Sequence, residues 1–138
     1  MLKLVVHNAK DLDRNAKCTV HSNGKLGFSD AAAKKLGLEK ANYLIIASNE
    51  AEADENLYMW VDDTDLNGGF KVFRAGNYFY INTKLLFDKQ NIDYANKEFI
   101  TIFDITDINY EDKNIYKLIK RVQKRAKKEK NKTDAVDN

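Results

Sequence analysis

The side chains that could carry catalytic chemistry are few in this 138-residue chain. The only imidazoles are His7 and His21, and the only thiol is Cys18. Ser22 follows His21 directly, but neighbouring residues on a strand point to opposite faces, so these two cannot form a nucleophile and base pair. A single cysteine also excludes an intramolecular disulfide and a cysteine-rich zinc site. We therefore predict that the protein is not an enzyme.

A cluster of turn-forming residues, DDTDLNGG at 62–69, matches the first half of a calcium-binding loop. Asp63, Asp65 and Asn67 have the spacing of the first ligands of an EF-hand. The twelfth position, which must supply a chelating carboxylate, is Arg74. The glycines of this cluster lead into a strand and do not open a helix, so they do not predict a phosphate-binding loop. The sequence thus predicts neither a metal nor another cofactor.

Basic side chains remain as candidates for a binding site. Residues 1–116 carry 14 basic and 18 acidic side chains, a balance of −4, whereas 117–138 carry 9 basic and 3 acidic ones, a balance of +6. Residues 1–116 have a net negative charge, which does not favour nucleic-acid binding, so phosphate contacts would depend heavily on the basic residues of 117–138. The alternative is that these basic residues form a solubilising tail. The residues predicted to contact nucleic acid are Lys25, Lys34, Lys35, Lys120, Arg121, Lys124 and Arg125.

The segment 20–46, which contains the first three of these lysines, has a strongly predicted local structure. Asn23-Gly24 predicts a two-residue hairpin turn in which both residues take positive φ. Ser29-Asp30 offers an N-cap for a helix that ends at Leu36, and Gly37 suits a left-handed helix terminus. An apolar extended run follows. The order is therefore hairpin, helix and strand.

This segment resembles the AbrB-type (SpoVT/AbrB, MraZ-like) swapped-hairpin DNA-binding domains of bacteria. Their pattern is G-[RK]-[IL]-x-[IV]-P-x6-L-G-[IL]-x2-G-[DN]-x-[LIV]-x-[LIV]. The matching positions are Gly24, Lys25, Leu26, Phe28, Leu36, Gly37, Leu38, Asn42, Leu44 and Ile46. The chain departs from the pattern at Ser29, where the family prefers Pro, at Ala41, where it prefers Gly, and in lacking the helix Arg. The resemblance implies a swapped-hairpin β-barrel, with side chains such as Lys25 on the barrel face presented to DNA.

The segment 70–105 repeats the pattern of hairpin, helix and strand found at 20–46. Gly76-Asn77 predicts a second turn, and Tyr78 and Tyr80 fall where the apolar residues of the second strand fall in the first unit. A helix can begin at Asn82-Thr83, and a closing strand follows. The alternative is a coincidence of two hairpins. If the repeat is real, the two units together close one barrel, as in MraZ-like proteins, because one swapped-hairpin unit cannot close a barrel alone.

The aromatic residues near the second turn have two explanations. This region is dense enough in aromatic side chains to form a platform on which bases stack: Phe70, Phe73, Tyr78, Phe79 and Tyr80. Packing in a core or an interface is the simpler explanation, because alternation places Tyr78 and Tyr80 on one face of the strand and Phe79 on the other. The pattern favours burial on both sides.

The domain organisation follows from these segments. We predict one β-rich domain, 1–109, made of units 17–61 and 70–105, then a C-terminal helix at 110–128 and a disordered tail at 129–138. The helix is predicted from an apolar stripe at three- and four-residue spacings: Ile115, Leu118, Ile119 and Val122.

We therefore predict a mainly β (α+β) protein with an AbrB-like swapped-hairpin β-barrel, short helices and a C-terminal helix. It would be cytoplasmic, since no segment has the length and polarity of a signal peptide or a membrane span. It would bind DNA as a homodimer or higher oligomer and regulate transcription in a bacterium or phage, with no small-molecule substrate. The alternatives are a structural or assembly protein of a phage or mobile element, located within a phage particle, and an RNA-associated module.

Overall fold

The computed structural model describes most of the chain. The described residues are 1–7, 9, 15–51, 55–111 and 113–126. The tail predicted at 129–138 lies outside them. No helix within the described residues is long and apolar enough to cross a membrane.

Nine strands and two short helices make up the described fold, which is mainly β as predicted. The first elements along the chain are β1 (Lys17–Val20), β2 (Leu26–Phe28), α1 (Asp30–Leu36), β3 (Tyr43–Ser48) and β4 (Leu57–Asp62). They are followed by β5 (Phe70–Lys71), β6 (Phe73–Ala75), β7 (Tyr78–Ile81), α2 (Lys84–Lys89), β8 (Phe99–Tyr110) and β9 (Lys113–Lys124).

The strands form one antiparallel sheet that nearly closes into a barrel. The order is β5-β3-β4-β9-β8-β1-β2-β7-β6, and the two ends of that order, β5 and β6, are separated in the chain only by Val72. The amide of Val72 donates to the carbonyl of Asn42 at 3.0 Å, which continues the ladder between β5 and β3. The segment 70–75 therefore joins both ends of the sheet.

The strand pairing has an approximate two-fold symmetry. The hairpin β1–β2 corresponds to β6–β7, and the hairpin β3–β4 corresponds to β8–β9. The first strand of each half pairs with a strand of the other half: β1 with β8, and β5, which precedes β6, with β3. Two pairs, β2 with β7 and β4 with β9, lie where the halves meet. Neither half completes the sheet alone.

The two helices end in the same way, each with a left-handed residue. Gly37 has φ 64° and Asn91 has φ 59°, and the amide of the next residue donates back into the helix at 2.9 Å in both cases. At the start of α1, the Ser29 hydroxyl accepts from the amide of Ala32 at 3.2 Å. The predicted cap and terminus of the first helix are thus confirmed.

The first turn differs from the prediction. The amide of His21 donates to the carbonyl of Lys25 at 2.8 Å, so the loop holds three residues, 22–24. Gly24 has φ 86°, whereas Asn23 is not among the described residues with positive φ. The Asn23 side chain instead accepts from the amide of Lys25 at 3.0 Å. A three-residue loop requires positive φ only at its last position.

The strand after the second turn, β7, buries the opposite face from the one predicted. Phe79 and Ile81 are buried, whereas Tyr78 and Tyr80 point outward, so the predicted correspondence was wrong by one residue. Gly76 is the first of two turn residues, whereas the glycine of the first turn is the last of three. A shift of one residue moves the apolar set of a strand to its opposite face.

The helix predicted at 110–128 was wrong for every described residue in that range. This segment instead contains β9, which pairs with β8 over all twelve of its residues. Leu118 from the predicted stripe enters the core, but Ile119 and Val122 are 39% and 56% exposed. The long partner strand decides the outcome, because most of the stability of a helix in a protein comes from tertiary packing, and here the packing and the hydrogen bonds to β8 favour a strand.

The core fills the inside of the sheet and the space beneath the two helices. Its largest fully buried side chains are Phe28, Phe87, Phe103, Leu26, Leu38, Leu44, Leu57, Met59, Ile81 and Leu118. Cys18 is fully buried among them, and burial raises the pKa of its thiol far above its ordinary value. This thiol is therefore a packing residue.

Candidate nucleic-acid interface

The β2·β7 pairing brings together two hairpins that carry no carboxylate. Leu26 lies opposite Ile81 and Gly27 opposite Tyr80 in this pairing. The segments 15–29 and 66–87 contain no Asp or Glu, although residues 1–116 hold 18 of them. The cations in these two segments are Lys17, Lys25, Lys71, Arg74 and Lys84. The paired hairpins thus form a positively charged region on a body of net negative charge.

Two aromatic rings lie stacked on the outer side of these hairpins, with a lysine over each ring. The rings of Phe73 and Tyr80 belong to directly paired residues, and their centroids are 5.5 Å apart at an interplanar angle of 18°. Lys25 Nζ lies 4.8 Å from the Tyr80 centroid, and Lys71 Nζ lies 5.6 Å from that of Phe73. Each ammonium group is within the range of a cation–π contact.

A third aromatic residue, Tyr78, lies beside this stack. Its hydroxyl is hydrogen-bonded to His21 Nε2 at 2.5 Å, and its side chain lies directly over Gly27. A Cβ atom at Gly27 would overlap the Tyr78 hydroxyl. We call the surface formed by His21, Lys25, Lys71, Phe73, Tyr78 and Tyr80 the aromatic–basic face.

The protonation of the face follows from its surroundings. Burial lowers the pKa of His21 below its ordinary value, and the charge of Arg125 lowers it further. Burial also raises the pKa of Tyr78. Both groups are therefore neutral near pH 7, and the positive charge of the face comes from its lysines. The guanidinium group of Arg125 is held by a bond from its Nε to the carbonyl of Asn96 at 2.9 Å.

Two of the predicted contact residues, Lys25 and Arg125, lie at or near the face, and Lys34 lies on the other side of the β6–β7 hairpin. Lys25 belongs to it, and Arg125 acts on His21 from the end of β9. Lys34 lines a cleft of about 450 Å³ between α1 and the β6–β7 turn, together with Lys40 and Arg74. The Arg74 guanidinium is 3.6 Å from a carboxylate oxygen of Glu39, which is also in the cleft lining. This cleft borders the paired hairpins.

Three other predicted residues are paired with carboxylates. Each pair is separate from the stack: Lys35 with Asp107 at 3.3 Å, Lys120 with Glu55 at 2.5 Å and Arg121 with Asp104 at 2.7 Å. Their charges are therefore largely neutralised within the protein.

The structure also separates the C-terminal residues that the predicted helix would have grouped. Lys120 and Arg121 are neighbours on β9, so they point to opposite faces of the sheet. Lys124 ends the same strand and is exposed. A single phosphate-binding cluster of these residues with Arg125 is therefore not formed.

Of the residues of the face, only Lys25 was predicted to contact nucleic acid. The sequence reasoning considered Phe73, Tyr78 and Tyr80 as a stacking platform but preferred packing for them, and it missed His21 and Lys71 as binding residues. Their grouping depends on which strands pair, and the β2·β7 pair joins residues more than 50 positions apart. One signal in the sequence could have found them. Both hairpin segments lack carboxylates in a chain that is rich in them.

Other chemistry is not supported by the described residues. No group of three or more His, Cys, Asp or Glu side chains among them could hold a metal ion. The loop considered for calcium is closed by its own hydrogen bonds. The Asp62 carboxylate accepts from the amide of Thr64 at 3.2 Å and from Asn67 Nδ2 at 2.8 Å. These bonds lower the pKa of Asp62.

Comparison with known proteins finds no relative: no family model, no curated protein and no solved structure matches the chain. The function must therefore be argued from the aromatic–basic face itself.

Proposed function

We propose that this protein is a non-catalytic DNA-binding protein that uses the aromatic–basic face, and that it regulates transcription in a bacterium or phage. One observation carries the proposal. Two hairpins without any carboxylate meet through the β2·β7 pair and expose lysines beside aromatic rings. Positive charge interleaved with aromatic side chains is the combination that binds sugar-phosphate and bases.

The strand pairing supports an AbrB-like swapped-hairpin barrel as the architecture. Each half contributes a hairpin, a helix and a second hairpin, and the first strand of each half pairs with the other half. Exchange of hairpins between two halves is the feature for which that fold is named. In this chain both halves are present, so the barrel forms without a second copy, and a homodimer remains a separate proposal.

Lys25 would contact DNA phosphate, with Lys71 as its counterpart on the second hairpin. Lys34 lies in the cleft with Arg74 and Phe79, on the opposite side of the β6–β7 hairpin from Phe73 and Tyr80, so it would make a phosphate contact separate from the face. Each neutralised phosphate releases condensed counterions, so affinity falls as salt rises. Lys120 and Arg121 have carboxylate partners, and we expect them to contribute little to this dependence.

An anisotropy titration with a labelled DNA duplex tests the proposal. We expect measurable binding at about 50 mM salt and a steep loss of affinity by about 200 mM. The double substitution Lys25→Ala and Lys71→Ala should reduce the log–log salt slope by about 2, because each phosphate contact contributes about 1. The substitutions Lys97→Ala and Lys113→Ala remove the same charge from exposed positions outside the face and serve as the control. Equal slopes for both double variants, or absence of binding at low salt to duplex and single-stranded DNA alike, would refute the proposal.

A structural or assembly protein of a phage or mobile element is the second candidate. It is favoured by large apolar side chains that remain exposed on the β8–β9 hairpin. These are Phe99, Tyr110, Ile119 and Val122, with exposed fractions of 43%, 55%, 39% and 56%. Exposed apolar side chains of this size are available for contacts with other proteins. Mass measurement by light scattering separates the candidates, since a large or concentration-dependent assembly favours this second function and a defined dimer favours the regulator.

A further inference from the structure

Each ring of the two-ring stack has a flexible lysine side chain over it. Tyr80 stacks with Phe73 and has the Lys25 ammonium 4.8 Å from its centroid, and the Lys71 ammonium lies 5.6 Å from the centroid of Phe73. Phe73 and Tyr80 are both only half-buried. An ammonium group that moves from a ring to a phosphate would leave the ring face free for a base.

A paired base could not reach these ring faces. In a duplex, each base is covered above and below by its neighbours, and only its edges are open in the grooves. To stack on Tyr80 or Phe73, a base must leave its own stack, which an unpaired strand does at low cost. The rings lie on the outer side of strands and not at a protruding tip, so they do not have the form of a wedge between base pairs.

We propose that the aromatic–basic face binds unpaired nucleotides in preference to duplex DNA. This inference rests on the proposed function and specifies its ligand. Bases stack on the outer faces of Tyr80 and Phe73 while Lys25 and Lys71 move to the adjacent phosphates. Tyr78 provides a further ring, 39% exposed, which its bond to His21 and its contact with Gly27 hold in place.

The chemistry of the face also predicts how it selects its ligand. Its two central rings offer no hydrogen-bonding group at their faces, so stacking would bind any base with little sequence preference. His21 and Tyr78 are neutral near pH 7 and already bonded to each other. The shared ligand chemistry is an unpaired base on a sugar-phosphate strand, which single-stranded DNA and an RNA loop both supply.

Anisotropy titrations with three labelled probes test the inference. The probes are a thymidine oligonucleotide of about 12 nucleotides, the corresponding uridine oligonucleotide and a duplex of the same length, which suit the site sizes of single-strand binding proteins. We expect at least one single strand to bind about tenfold more tightly than the duplex. Preference for the DNA or the RNA strand identifies the source of the ligand, and both results support the inference.

Variants connect the preference to the rings. The double substitution Phe73→Leu and Tyr80→Leu should weaken single-strand binding by about 10-fold or more, as expected for loss of base stacking. Tyr58→Leu is the matched control, because Tyr58 also has a lysine over its ring, with Lys117 Nζ at 6.0 Å, but belongs to β4 outside the face. Equal loss in both variants would overturn the inference.

A measurement on the unaltered protein covers the case in which the double variant does not fold. Photocrosslinking to an oligonucleotide that contains bromouracil should place the crosslinks on Phe73, Tyr78 or Tyr80. Crosslinks confined to other residues, or duplex affinity equal to or above that of both single strands, would overturn the inference but leave DNA binding intact. Failure of all three probes to bind at low salt would instead refute the proposed function.

Discussion

At the scale of single residues, the geometry of the face requires a glycine at position 27, because two side chains of the face approach its backbone closely. The Tyr78 side chain occupies the space in which a Cβ of residue 27 would lie, and the His21 ring is in the same place. The pairing of Gly27 with Tyr80 shows that this glycine belongs to a regular strand. A small residue in a strand often marks such a contact.

We predict that Gly27→Ala displaces Tyr78 and breaks its bond to His21. The forced movement should lower the free energy of unfolding by about 1 to 3 kcal/mol, as overpacking does elsewhere. Urea denaturation measures the loss, and Ser22→Ala in the exposed turn is the control. Since burial lowers the pKa of His21, displacement of the tyrosine should raise that pKa toward its ordinary value, which NMR titration can detect. An unchanged pKa would show that Tyr78 does not move.

At the scale of elements, the side chains of β9 have different partners from those they would have in the predicted helix. Arg121 Nε donates to a carboxylate oxygen of Asp104 on β8 at 2.7 Å, and the same guanidinium group also bonds to Gln123. The side chains of Arg121 and Asp104 are 21% and 12% exposed. The other oxygen of Asp104 has no hydrogen-bond partner among the described residues. Arg121 is thus a structural residue of the β8–β9 pair.

We predict that Arg121→Met lowers the free energy of unfolding by about 2 to 3 kcal/mol, because it leaves a mostly buried carboxylate without its partner. Lys124→Met, an exposed position on the same strand, should change it by less than about 0.5 kcal/mol. Chemical denaturation of both variants measures the difference. Asp104→Asn added to Arg121→Met should recover part of the loss, because the double mutant no longer buries an unpaired charge. Equal stability of the two single variants would show that the pair contributes nothing.

At the scale of the whole molecule, the two halves depend on each other for closure. Residues 15–65 alone would leave β1, β2, β3 and β4 each without a neighbour that the other half supplies. The buried hydroxyl of Thr83 also donates to the carbonyl of Gly24 at 2.9 Å, so the start of the second helix fixes the turn of the first hairpin. Unpaired strand edges and an exposed core make an isolated half unstable.

We therefore predict that fragments 1–65 and 66–138 do not fold separately as monomers. Mixed together, they should recover the circular dichroism spectrum of the intact chain, since every pairing between the halves can form without a covalent link. A full-length chain cut at a protease site inserted in the exposed 63–68 loop is the control. Cooperative unfolding of either fragment as a monomer would contradict the interdependence of the halves.

Much of the first unit could be predicted because its signals are local. Ser29 and Gly37 bound a short helix through their own capping and backbone preferences. The hairpin of β3 and β4 is formed by two strands that follow each other directly in the chain. The predictions failed where a one-residue difference in turn length or a distant partner strand decides the result.

The sequence by itself determined the mainly β character, the first helix with its caps and the lack of carboxylates in the two hairpins. Those properties depend on neighbouring residues or on composition alone. Only the tertiary structure decided that 113–124 is a strand, that Tyr78 and Tyr80 point outward, and that Lys25 and Lys71 lie over the two rings of one stack. The reason is physical, because strand pairing joins residues that are remote in the chain. The position of a charge relative to a ring is therefore set by register and not by sequence spacing.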